Sequence, residues 1–258
     1  MAEKRAALLP QHRFLYACLA MFLLLQFLCA ALLLRDQERW LNVPTAPSPA
    51  IARMVALGDP QFAFRSLAIV LQNFGDAAGR TISLDMYDYH HVGTWLRLLD
   101  GLDPQSRYLP YLAAYYFGAA PDGKGLAPVV DYLAMIGQRQ GNNNWRWLAQ
   151  AVILSQYKLH DLKKAQALAD ILARHPDPAL PEWGRNFRFV IMNTRGEKQA
   201  AAALILMRLR DEANTLTITE FNLLRSILCQ QILTAAERPA YALCHDLNGK
   251  EEEAGDAE

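Results

Sequence analysis

The chain lacks an excess of charge of either sign. Its 258 residues include 26 lysine and arginine residues and 26 aspartate and glutamate residues. A protein that attracts nucleic acid or an acidic surface through its overall field needs an imbalance of charge, and this composition provides none. We therefore expect no nucleic-acid partner.

Sequence motifs of catalysis are also missing. The chain has no G-x-S-x-G, H-E-x-x-H or C-x-x-C, and its segment PDGKG lacks the spacing of a phosphate-binding loop. A helical glycan-cleaving enzyme would need a glutamate with a raised pKa. Glu182, Glu197 and Glu212 lie at predicted helix ends or on the surface, so we expect neither an enzyme nor a cofactor.

Possible metal ligands are concentrated in one segment, DMYDYHHVG, with Asp85, Asp88, His90 and His91. Adjacent histidines on a helix point about 100° apart, so they cannot easily bind one ion. Acidic residues at a helix N-terminus also favour the helix dipole without any metal. We interpret this segment as a helix cap and expect no metal site.

Runs of β-branched residues are scarce, whereas alanine and leucine are abundant and most glycines and prolines fall between apolar stretches. This composition predicts an all-α protein.

The longest apolar run, from Phe14 to Leu34, contains no charged residue, proline or glycine. Its 21 residues would form a helix of about 31 Å, close to the thickness of the hydrocarbon core of a bilayer. The run is longer than the apolar region of a signal peptide and ends in Leu-Leu-Leu-Arg without a small-x-small cleavage site. We therefore predict an uncleaved transmembrane anchor over residues 14–34.

The basic residues around this run predict its orientation. Lys4, Arg5 and Arg13 precede it, whereas Arg35 and Arg39 follow it. The positive-inside rule places residues 1–13 in the cytoplasm and the remainder of the chain in the periplasm. The predicted protein is a single-pass protein of the cytoplasmic membrane.

Beyond the anchor, the sequence predicts three regions. Residues 35–58 include the proline-rich stretch VPTAPSPA, which predicts an extended, semi-rigid linker. Residues 59–248 have the pattern of amphipathic helices, in pairs whose first helices begin near residues 61, 106, 145 and 181. Residues 249–258 form an acidic tail that we expect to be disordered.

At this period the chain resembles the tetratricopeptide repeat family. His160–Asp161 and Gly196–Glu197 match the family's turn, followed by small residues at Ala165, Ala200 and Ala201, and Pro176 and Pro178 close the third pair. The resemblance covers about residues 60–213 and is strongest over 145–213. It implies a right-handed α-solenoid that binds protein segments on its inner face.

Polar and aromatic residues are frequent on the first helices of the pairs, which line the concave surface of such a solenoid. Tyrosine, tryptophan and arginine are also enriched at protein interfaces. The predicted partner-binding residues are Arg65, Gln72, Asn73, Tyr108, Tyr111, Tyr115, Arg146, Trp147, Gln150, Arg185, Asn186 and Arg188.

Two of the four cysteines, Cys18 and Cys29, lie within the predicted anchor, whereas Cys229 and Cys244 lie near the C-terminus. A disulfide between the latter two is one possibility in an oxidising compartment, and two buried thiols are the other.

The sequence thus favours a membrane-anchored adaptor or scaffold of the cell envelope that binds protein partners. Two alternatives remain. One is an accessory subunit of a larger membrane complex, in which Gln26 and neighbouring alanines pack on other helices. The other is an enzyme that acts on envelope glycan.

Overall fold

The computed structural model describes residues 9–35, 42–77, 80–212 and 215–245. Helix α1 spans Leu9–Arg35 and contains the apolar stretch Phe14–Leu32, whose mean hydropathy is 2.3 and none of which is buried. The chain therefore has one N-terminal helix that is long and apolar enough to span a membrane. Most of the predicted N-terminus and all of the predicted acidic tail lie outside the described residues.

Ten further α-helices follow within the described residues. They are α2 (Pro49–Val55), α3 (Pro60–Asn73), α4 (Tyr89–Leu102), α5 (Tyr108–Tyr111), α6 (Ala127–Gly137), α7 (Trp145–Tyr157), α8 (Leu162–Ala173), α9 (Glu182–Thr194), α10 (Lys198–Asp211) and α11 (Ile218–Ser226). Helix α5 continues as a π-helical stretch (Leu112–Tyr116) and a 3₁₀ turn (Phe117–Ala119), and α11 continues as a π-helical stretch (Ile227–Ile232). Shorter 3₁₀ turns cover Leu84–Met86 and Arg238–Ala240.

One minimal hairpin interrupts the helices. Strands β1 (Asp76–Ala77) and β2 (Arg80–Thr81) are antiparallel, with Asp76 opposite Thr81. The other regular elements among the described residues are helices, so the predicted all-α class is confirmed.

Side-chain hydrogen-bond acceptors mark the starts of several helices. The carboxylate of Asp59 accepts hydrogen bonds from the backbone N–H groups of Gln61 and Phe62 at 2.8 and 3.1 Å. Asp161 and Thr217 cap α8 and α11 in the same way. Side-chain acceptors of this kind satisfy amides that have no partner within the helix.

Helices that are close in sequence also contact each other. Helix α4 packs on α3 and α6, and the chain from α6 to α10 packs in order, each helix on the next. The contact of α6 with α7 depends on Gly137, because a Cβ atom there would lie 2.3 Å from the backbone nitrogen of Leu148. The first helices of the four pairs begin at residues 60, 108, 145 and 182, close to the predicted period.

Two hydrophobic cores result from this packing. The first extends from Val43 to Ile191, and the second, from Phe189 to Cys244, unites α9, α10 and α11. Helix α9 contributes to both, since Ile191 faces the first core and Phe189 the second. It therefore joins the two cores.

The structure differs from the predicted extended linker at residues 35–58. Helix α2 begins within that range, with Ser48 as its cap and Pro49 at its first position. Proline is tolerated there because the first amides of a helix have no intrahelical acceptor. Val43 is buried in the first core, so the chain is already part of the folded domain several residues before α2.

Candidate protein-binding surface

Five of the predicted binding residues lie on α3, on α5 with its π-helical continuation, and on α7. We call them the aromatic row: Gln72, Tyr108, Tyr111, Tyr115 and Trp147. The three tyrosines are spaced at i, i+3 and i+7, so they share one face of a helix. The Tyr108 hydroxyl donates a hydrogen bond to the Gln72 side-chain oxygen. The rings of Tyr111 and Tyr115 lie 4.8 Å apart, and the Tyr115 ring meets Trp147 edge-on at 6.5 Å.

The aromatic row is accessible from solvent. Tyr108, Tyr111 and Tyr115 are 39%, 60% and 55% exposed. Trp147 is only 9% exposed and packs against Tyr115. Partial burial raises the pKa of Tyr108. Each tyrosine offers an apolar ring together with a hydroxyl group, which suits a protein interface.

A second feature is a cavity of about 330 Å³ lined by residues of α9, α10 and the end of α8. Its charged lining residues are Arg174, Arg185, Arg188, Arg208, Asp211 and Glu212. Arg174, Arg185 and Arg188 form no ion pair with a carboxylate of the described chain, so this side of the cavity favours an anionic group. We call it the arginine cavity.

The arginines of this cavity differ in how many of their N–H donors already form hydrogen bonds. Arg208 is fixed by the carboxylates of Glu212 and Glu220 and by the side-chain oxygen of Asn186. The Nε atom of Arg188 is buried and has no hydrogen-bond partner, and its guanidinium lies 4.8 Å from the ring of Phe189. Since Arg188 lines the cavity, its terminal N–H groups can donate to a ligand there.

Glu220, which pairs with Arg208, and its neighbour Glu182 add two carboxylates beside the cavity. Glu220 is 7% exposed, and its burial, together with the neighbouring carboxyl group of Glu182, raises its pKa although Arg208 lowers it. One oxygen of Glu182 is buried without a hydrogen-bond partner. The sequence did not single out Glu220 or Arg208, because their pairing joins positions on two different helices.

The remaining predicted residues belong to neither the aromatic row nor the lining of the arginine cavity. Arg65 and Asn73 are exposed on α3, Gln150 is half-buried, and Arg146 lies over the ring of Trp145 at 5.4 Å. Asn186 is fully buried, so it cannot offer contact surface to a partner. Its role is to hold Arg208 in place.

The segment with Asp85, Asp88, His90 and His91 contains the predicted cap. The Asp88 carboxylate accepts from the backbone N–H groups of His90 and His91 at 3.0 and 3.1 Å. The Nδ1 atom of His91 lies 2.8 Å from the carbonyl oxygen of Val43. Within the described ranges, no group of three or more His, Cys, Asp and Glu side chains is placed to hold a metal ion.

The two C-terminal cysteines are joined. Cys229, in the π-helical continuation of α11, forms a disulfide with Cys244, and their Cα atoms are 5.6 Å apart. Both residues are 1% exposed and belong to the second core. The bond therefore fixes the end of the described chain to α11.

The chain matches no family model, no curated protein and no solved structure. The resemblance to tetratricopeptide repeats accordingly stays a prediction.

Proposed function

We propose that this protein is a membrane-anchored adaptor or scaffold of the cell envelope that binds protein partners in assembly or recruitment. The observation that carries the proposal is the aromatic row, in which three exposed tyrosines join α3 to α7. Isolated exposed aromatic residues are common, but a contiguous set supported by a buried tryptophan is typical of interface hot spots.

The arrangement of helices supports a scaffold. Four helix pairs begin at a near-constant spacing, and each helix from α6 to α10 packs on the next. In a solenoid of tetratricopeptide type, contacts between neighbours bury the core and leave a long face for an extended or helical segment. We propose that the described domain is such a solenoid.

The arginine cavity supports the choice of a protein segment with an acidic group. A guanidinium binds a carboxylate with two parallel hydrogen bonds. In our proposal an acidic side chain of the partner enters the cavity and contacts Arg188, while apolar side chains lie on the aromatic row.

The proposed location follows from the anchor. We propose that α1 spans the cytoplasmic membrane with residues 1–13 in the cytoplasm and the helical domain in the periplasm. The disulfide between Cys229 and Cys244 supports this orientation, since disulfides persist in oxidising compartments.

Purification of the full chain in mild detergent, followed by identification of stoichiometric partners, tests the proposal. A variant with Tyr111→Ala and Tyr115→Ala should lose partner retention, because each hot-spot truncation costs about 2 kcal/mol, roughly 30-fold in affinity. Tyr157→Ala is the matched control, since Tyr157 is 63% exposed on α7 and does not belong to the aromatic row. Unchanged retention in the folded double variant would contradict the proposal.

An accessory subunit of a membrane complex is the second candidate, and one observation favours it. The stretch Phe14–Leu32 is not buried against the domain, so its surface is available to other transmembrane helices. Its polar residue Gln26 could hydrogen-bond across such a contact. Loss of partners in Gln26→Leu, with retention in the tyrosine variant, would favour the subunit.

A further inference from the structure

The first two helices of the folded domain expose apolar side chains where the outer end of a helical array is normally polar. These side chains are 49–94% exposed and form what we call the N-terminal apolar patch: Ile51, Met54, Val55, Leu57, Phe62 and Ile69. On α3, Phe62 and Ile69 are two turns apart and lie opposite the buried residues Phe64 and Leu71. The patch therefore lies on the outside of the domain.

Leu57 is the most unusual member of the patch. It is 94% exposed and has a left-handed backbone conformation with φ of 55°, in the loop between α2 and α3. This conformation is unfavourable for a residue with a Cβ atom, and no packing of the side chain compensates for it. A large apolar residue held in this way at the tip of a loop is suited to insertion into a lipid environment.

The polar residues on the outer face of α3 have their donors satisfied within the helix. The Ser66 hydroxyl donates to the carbonyl oxygen of Phe62 at 2.7 Å, and the Asn73 amide donates to that of Ile69 at 2.7 Å. Such bonds lower the cost of placing polar side chains where water is scarce.

The charged residues within α2 and α3 are Arg53 and Arg65, both exposed. No carboxylate of the described chain forms an ion pair with either of them. Positive charge beside an apolar surface matches the anionic headgroups of a bilayer.

The connection to α1 is short. Helix α1 ends at Arg35, and the domain holds the chain from Asn42 onward, where the Asn42 amide donates to the carbonyl oxygen of Met86 at 3.0 Å. Seven residue steps cover at most about 25 Å when fully extended. If α1 spans a bilayer, Asn42 must lie within about 25 Å of the membrane surface, and α2 begins a few residues after it.

We infer that the N-terminal apolar patch lies in the lipid–water interface of the leaflet where α1 ends, with Arg53 and Arg65 among the headgroups. This inference rests on the proposed role of α1 as an anchor, but it needs neither the aromatic row nor a particular compartment. In this arrangement the helical domain contacts the membrane surface in a fixed orientation.

Spin labels on the full chain in nanodiscs of phosphatidylcholine and phosphatidylglycerol test this inference. A nitroxide is attached to Leu57→Cys or Met54→Cys in a background with Cys18→Ala and Cys29→Ala, since the other two cysteines are bonded to each other. Tyr157→Cys in the same background is the solvent control. At both patch positions we expect a higher ratio of oxygen accessibility to nickel-chelate accessibility than at position 157.

A label on the native Cys29, in a Cys18→Ala background, reports separately on the anchor. Lipid-like accessibility at position 29 combined with water-like accessibility at positions 54 and 57 would overturn the inference while leaving the anchor intact. Protection from both relaxing agents, or dipolar broadening between labels, would show that protein covers the patch and would also overturn it. Water-like accessibility at position 29 would instead refute α1 as an anchor.

Discussion

The indole Nε1 of Trp95 donates a hydrogen bond to the backbone carbonyl oxygen of Pro44, 2.8 Å away and 51 residues earlier in the chain. With the contact between His91 and Val43, it holds the proline-rich segment against α4. The segment therefore belongs to the domain and shortens the distance between the domain and α1.

Replacing Trp95 with phenylalanine should loosen this attachment. The variant keeps an aromatic ring but loses the donor, which costs about 1 kcal/mol of unfolding free energy. Amide hydrogen exchange over residues 42–48 should become faster. Trp145→Phe is the matched control, because the Nε1 atom of Trp145 is buried without a hydrogen-bond partner. Equal exchange in the two variants would contradict the proposed attachment.

The sequence predicted local features of the fold better than it predicted contacts between distant segments. Asp59–Pro60 indicates a helix start because cap and first turn are adjacent in the chain. The attachment of Pro44 to Trp95 could not be predicted, since a proline-rich segment reads as extended whether or not its carbonyls find a donor. For the same reason, the sequence did not predict α2, whose first residue is Pro49.

For the candidate binding surface too, the sequence predicted local features but not contacts between distant segments. The spacing of Tyr108, Tyr111 and Tyr115 predicts a shared face because all three lie on one continuous helical segment. The convergence of Arg174 with Arg208 in the arginine cavity depends on the packing of α8 and α10 around α9, for which the sequence contains no local signal.

The ion pair of Asp100 and Arg139 should stabilise the contact between α4 and the end of α6. The two guanidinium nitrogens of Arg139 donate to the two carboxylate oxygens at 2.8 and 2.6 Å, and the Asp100 side chain is 13% exposed. We expect Asp100→Asn to lower the free energy of unfolding by about 2 kcal/mol. This loss is smaller than for a fully buried pair because Arg139 reaches solvent.

The control for that experiment is the more exposed pair of Asp131 and Lys164, whose atoms are 2.7 Å apart. Asp131→Asn should lower the free energy of unfolding by at most about 1 kcal/mol. Thermal unfolding of the full chain in detergent measures both variants, and equal losses would refute the difference that we assign to burial.

Glu220 should make stability depend on pH. Its pKa is raised above the ordinary value of 4.5, so the folded state binds this proton more tightly than the unfolded state does. Its stabilising contribution is present below pH 4.5 and is lost as pH rises through the folded pKa. The unfolding free energy of the wild type, relative to Glu220→Gln, should therefore fall as pH rises above 4.5.

Glu237 provides a control of opposite sign. Hydrogen bonds from the backbone and side chain of Thr234 lower its pKa. Its contribution is present above pH 4.5 and is lost as pH falls through the folded pKa. Relative to Glu237→Gln, the wild type should thus lose stability toward low pH, and parallel curves for both variants would contradict these assignments.

The proposed orientation predicts the activity of reporter fusions. A reporter that works only outside the cytoplasm should be active after Glu258, because the basic residues just before Phe14 outnumber those just after Leu34. A reporter that works only in the cytoplasm should be silent at the same position. The reverse pattern would place the domain in the cytoplasm.

The disulfide between Cys229 and Cys244 should be present in the protein isolated from cells. Alkylation of the denatured, unreduced chain should modify two thiols, Cys18 and Cys29, and all four cysteines should react after reduction. Since the bond closes a loop of about 15 residues, Cys229→Ser should lower the unfolding free energy by about 3 kcal/mol. The double variant with Cys244→Ser should lose no more than this, and Cys29→Ser should lose nothing because that thiol is exposed on α1. Alkylation of four thiols before reduction would exclude the bond and remove its support for a periplasmic domain.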